Sequence, residues 1–100
     1  MRPLEKSIVH AIRRALILRP RCVAYKMHGS PYSTAGMPDL LVIDDGRTIW
    51  LEVKRPGRPL TAIQAARHAE MRGAGAVVDV VHNADEAVAV LESQKHLACA

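Results

Sequence analysis

Two cysteines are too few for a disulfide framework, and Cys22 and Cys99 share no metal-ligand spacing. They read as reduced thiols, in keeping with a cytoplasmic chain. No apolar run approaches the roughly 18 residues of a membrane span, and no signal peptide opens the sequence. A soluble protein with no membrane partner is expected. Repeats, low-complexity segments and linkers are missing. So are P-loop glycines, zinc-ligand spacing and a nucleophile elbow. Any chemistry must come from other side chains.

One hundred residues are expected to form one domain, 1–100, near the small end of comfortable stability. Hydrophobic residues make up 49% of the chain, and the 6 Gly bring the apolar set slightly above the usual range of about 45–50%. That mild excess hints at apolar surface covered by a partner. The net charge of +4 favours a polyanionic partner.

The chain is organised around residues 36–54. Two runs of aliphatic and β-branched residues, Leu40 to Ile43 and Thr48 to Val53, flank Asp45-Gly46, a short-range signal for a hairpin with a primed turn. With those two as the loop, Asp44 faces Arg47, Ile43 pairs with Thr48, Leu41 with Trp50 and Asp39 with Glu52. Two carboxylates then lie side by side, which destabilises a ladder unless solvent or a cation offsets it. Lys54 lies two residues beyond Glu52 and points to the same face. An Asp, a Glu and a Lys at one end of an apolar hairpin are the makings of a hydrolytic metal site. The bland reading of the same residues is a turn-side carboxylate and a strand ion pair worth little.

Pro38-Asp39 followed by Glu52-Val53-Lys54 resembles the PD-(D/E)XK nuclease signature. The surrounding text, Lys26-Met27-His28-Gly29-Ser30 through Ala35-Gly36-Met37-Pro38-Asp39 and on to Gln64, resembles the VRR-NUC (virus-type replication-repair nuclease) branch, from about Glu5 to Val81. The resemblance implies an α/β, restriction-endonuclease-like αβββαβα core with a mixed four-stranded sheet flanked by helices. It implies a Mg²⁺-dependent endonuclease for branched DNA such as Holliday junctions, working as a homodimer, often of bacterial, phage or prophage origin. Mn²⁺ is expected to substitute for Mg²⁺. Asp39 and Glu52 would ligate the metal directly, the resemblance adds the Val53 carbonyl, and Lys54 would orient or deprotonate water. The alternatives are a non-catalytic DNA-binding or assembly module on the same fold, or a nuclease for flap, nicked-duplex or RNA substrates.

In chain order, apolar spacing predicts a helix from about Pro3 to Leu18. Glu5 lies at the margin of its buried face and reads either as a first-turn complement to the helix dipole or as an added carboxylate near the metal. Cys22 to His28 alternates as a strand, with Lys26 able to contact phosphate. Gly29 to Gly36 is a turn-rich loop whose Gly29 and Ser30 backbone donors and Tyr32 ring are candidates for substrate contact. Arg55 and Arg58 follow the hairpin and are expected to contact phosphate, the alternative being a solvated loop. Thr61 with Gln64 forms a capping box opening a helix from Ala62 to Arg72, with Gly73 as its left-handed stop. Gln64 thus has a full structural explanation, beside the catalytic position that the resemblance gives it. Arg67 and Arg72 either continue the basic strip or only solvate the helix. Ala76 to Val81 reads as a buried strand and Asn83 to about Ser93 as a last helix, leaving 94–100 as a frayed tail. His28 and His68 have no partner at triad or metal spacing and read as surface or core-margin histidines.

Overall fold

The computed structural model describes residues 4–27 and 34–98. Seven elements follow one another: α1 (Glu5–Leu16), β1 (Cys22–Lys26), β2 (Leu40–Asp44), β3 (Arg47–Val53), α2 (Ala62–Gly73), β4 (Val77–Val81) and α3 (Ala84–Ala98). The sheet order is β1-β2-β3-β4, antiparallel except for β4, which runs parallel to β3. This is the expected mixed α/β sheet flanked by helices.

The turn sets the register. Asp45 and Gly46 both adopt positive φ, 50° and 83°, the primed geometry whose twist matches that of the flanking strands. Asp44↔Arg47, Ile43↔Thr48 and Leu41↔Trp50 then pair as the two-residue loop requires. Side chains alternate across the pleat, so Leu40, Val42, Ile49, Leu51 and Val53 share one face. All five are fully buried there with Ile8, Val9, Ile12 and Leu16 of α1 and Ala87 and Leu91 of α3. Each larger aliphatic contributes roughly 1.5–3 kcal/mol by leaving water.

The opposite face is covered unevenly. It carries α2, which packs against β4. The β1–β2 side stays open, with Val23, Tyr25 and Ile43 exposed. Helices flank the sheet as expected, but α2 offers no apolar stripe to spread over the whole of this face. Its one buried residue is His68.

Two boundaries differ from the reading of the sequence. Gly73 stays helical, and the positive φ of 99° falls on Gly75, whose N–H donates to Arg72 O at 2.9 Å. The last helix runs to Ala98 rather than stopping near Ser93, so 94–98 continues it. Apart from Gln94, whose side chain is half-buried, this turn has few tertiary contacts to read from pattern.

At the end of the sheet away from Glu52, Arg19 clamps the buried Asp44 with Nε and Nη2 at 3.2 and 3.1 Å and reaches Glu92 with Nη1 at 2.8 Å. The pair joins the α1–β1 connection to β2 and α3. Breaking one side of a buried pair leaves the other uncompensated. Asp44→Ala is expected to cost about 3–5 kcal/mol, read as a lower urea midpoint at unchanged slope.

Candidate functional site

Asp39 and Glu52 stand one step past the last pair of the β2–β3 ladder, Leu40↔Leu51. The main chain of Asp39 still belongs to the sheet, its carbonyl accepting from Met27 N–H at 2.8 Å. Its carboxylate replaces the missing main-chain partner on β3: Oδ2 accepts from Val53 N–H at 2.8 Å. That bond aims Asp39 at its neighbour Glu52. Glu5, the first residue of α1, completes the group, and one oxygen from each of Glu5, Asp39 and Glu52 lies within 4.8 Å of the others.

Glu52 is 1% exposed and Lys54 8%. Burial pushes the Glu52 carboxyl up to about 9, helped by its hydrogen bond with Asp39 and the charges of Asp39 and Glu5, while Lys54 works against the shift. Lys54 makes no ion pair among the described residues. A cavity of about 720 Å³ opens beside the group, lined by Glu5 and Lys6 of α1, by Lys54 and Arg55, and by Arg58 to Thr61. Three hard oxygen donors crowded until one holds a proton are a donor set that fits a small divalent cation. Val53, whose carbonyl the resemblance adds, is fully buried next to Glu52.

The other expected residues divide. Arg55 and Arg58 line the cavity. Lys26 is exposed and lines a neighbouring groove with Lys6, His10 and Arg13. Gly29, Ser30, Tyr32 and His28 lie outside the described residues. Gln64 is engaged in the capping box, its Oε1 accepting from Thr61 N–H at 3.0 Å while Thr61 Oγ1 accepts from Gln64 N–H at 3.2 Å. Arg67 donates to Ala35 O and Glu70, and Arg72 donates twice to Val78 O, so both hold α2 in place rather than extending a free basic strip.

His68 is a correction. It is fully buried, and its Nε2 lies 3.0 Å from Glu52 Oε1. Burial lowers its pKa, with a further push from Arg72. It was expected at the surface or core margin because it has no partner close in sequence, but its partner is supplied by β3. The available signal was helical: four residues after Gln64, it shares that residue's face of α2.

With the fold and this geometry in place, comparison with known proteins is informative. The chain is similar to a solved structure described as a VRR_NUC domain, with 26% identity and a TM-score of 0.73 over 88% of this chain and 94% of that one. No protein-family model and no curated protein matches the chain. The VRR-NUC resemblance therefore holds for the fold as a whole, and the protein has a nuclease-type domain.

A carboxyl raised above its ordinary 4.5 contributes stability that is fully present below that value and lost as pH rises through about 9. A divalent ion entering the cluster must displace the same proton. Mn²⁺ affinity is thus expected to rise about tenfold per pH unit across that window and to level off near its upper end. Calorimetry in two buffers of different ionisation enthalpy should show proton release on binding at neutral pH. Binding with no proton released would mean that Glu52 is already ionised.

Proposed function

We propose that the protein is a Mg²⁺-dependent endonuclease that cuts phosphodiester bonds in DNA, with branched DNA of the Holliday-junction type as its preferred substrate. The observation that carries the reading is the meeting of Glu5, Asp39 and Glu52 oxygens within 4.8 Å, beside a buried Lys54 that no carboxylate among the described residues pairs with. Glu5, Asp39 and Glu52 would hold the metal together with the Val53 carbonyl. When bound, the ion supplies charge neutralisation at the scissile phosphate and an acidified water.

The chain's own residues do the rest. The main-chain N–H of Lys54 donates to Val81 O at 3.0 Å, and its buried side chain would orient or deprotonate the attacking water or hold a phosphate oxygen. Arg55 and Arg58, on the loop lining the same cavity, would grip backbone phosphates on either side. Asp39 is kept in place by the Val53 N–H, so the ligand set is largely assembled before substrate arrives. Gln64, tied to Thr61, would act by holding the start of α2 in position. Lys26, on the groove beside α1, would contact phosphate farther along the strand.

One site cuts one strand. Paired incision of a branched substrate calls for two copies about a two-fold axis. The open half-sheet at Val23, Tyr25 and Ile43 supports such pairing, because it offers apolar area to bury. A solution mass of two chains is expected from light scattering, and a monomer at cutting concentrations would remove the paired-incision mechanism.

The test of the activity is a gel panel of four-way junction, flap, duplex and single strand, with Mg²⁺ and with EDTA. Product is expected on the junction with Mg²⁺ alone. Glu52→Ala and Lys54→Ala should each lower the rate by at least about a hundredfold while binding in EDTA persists. Cleavage surviving either substitution would defeat the assignment. Preference for another substrate would move the activity to flap or duplex processing.

A further inference from the structure

A helix that packs on a sheet normally buries aliphatic side chains. Among the described residues of α2, the buried one is His68, at 0% exposure, with its Nε2 3.0 Å from Oε1 of Glu52, itself at 1%. The other ring nitrogen, Nδ1, is buried without a hydrogen-bond partner among the described residues. An ionised Glu52, as a metal ligand must be, can only accept a hydrogen bond, and Nε2 is the ring nitrogen that faces it. The proton therefore belongs on Nε2, which donates to Glu52, and Nδ1 keeps only a lone pair.

Glu52 has two oxygens, and this bond occupies one of them from the side of α2. We propose that His68 is a positioning residue that turns Glu52 so that a divalent cation meets a single oxygen of that carboxylate. The inference rests on the metal site proposed above and adds a residue to it. A carboxylate free to rotate could chelate through both oxygens or swing towards Lys54, and either movement would change the ligand geometry that a small cation demands. Partners that orient metal ligands in this way are worth about 10–100-fold in metal affinity. The same contact explains why α2 tolerates a buried imidazole where a leucine would pack as well: the ring lies against the one carboxylate that must be aimed.

The test is calorimetric titration of the whole chain with Mn²⁺, comparing the parent with His68→Leu, His68→Gln and His68→Asn. Leu fills the space and removes the donor, Gln places an amide N–H near the position of Nε2, and Asn carries the same group too short to reach Glu52. Leu and Asn are expected to weaken Mn²⁺ binding about 10–100-fold, and Gln to restore most of it. Urea midpoints measured alongside should not follow that order, since packing alone would rank Leu nearest the parent. Parental affinity in the Leu variant overturns the proposal. Should the Leu variant fail to fold, equal affinities for Gln and Asn overturn it in its place. A parent that binds no Mn²⁺ removes the metal site and this inference together, an outcome distinct from a parent that binds and is indifferent to residue 68.

Discussion

Three carboxylates brought within 4.8 Å of one another repel, and the surrounding structure is arranged to hold them there. Two unit charges about 4 Å apart cost about 4 kcal/mol at an effective dielectric of about 20. With Glu52 almost wholly buried, full ionisation of the group is disfavoured in the absence of a cation, and burial pushes its carboxyl up to about 9. The restraint is directional as well as electrostatic. Asp39 is tied to Val53 N–H, Glu52 to His68 Nε2, and Glu5 is carried by a helix whose four buried aliphatics lock it onto the sheet.

The expense of such a group is borne by the other face of the sheet. There, Leu40, Val42, Ile49, Leu51 and Val53 meet the buried sides of α1 and α3 with no polar residue between them except at the far end, where Asp44 is neutralised by Arg19. Alternation along β3 makes the division sharp: Leu51 and Val53 face the core, and Glu52 between them faces the site. A slip of one residue would send Glu52 into the aliphatic core and Leu51 to the site. The Asp45-Gly46 turn, which permits one register only, therefore guards the site from the opposite end of the hairpin.

That dependence explains what was legible in the sequence. The turn dipeptide needs only local chemistry, so the hairpin register followed from it, and with the register came the juxtaposition of Asp39 and Glu52. Glu5 was legible from helical phase, since Val9, Ile12 and Leu16 mark its side of α1. His68 was not, because a contact between residues 52 and 68 depends on how α2 docks, and no local pattern encodes docking. The weak apolar stripe of α2 pointed to that gap without filling it. Gly73 was misread for a related reason: either Gly73 or Gly75 could supply the left-handed residue, and it is Gly75 that does so, its N–H donating to Arg72 O at 2.9 Å.

The basic residues show the same economy of placement. Arg19, Arg21, Arg47 and Arg67 are paired with carboxylates, and Arg72 is bonded to a main-chain carbonyl, so all five serve the scaffold. Around the cavity, Lys6, Lys54, Arg55 and Arg58 have no ion-pair partner among the described residues, and the residues outside that set include no Asp or Glu. The carboxylates near these four cations are those of the cluster itself. A net charge of +4 therefore understates the field at the one surface where it matters, because charges paired elsewhere cancel and these do not. A divalent ion in the cluster would offset most of the local negative charge and leave the four surrounding cations in excess. On the proposed reading, metal and polyanion then bind cooperatively, each removing the repulsion that opposes the other.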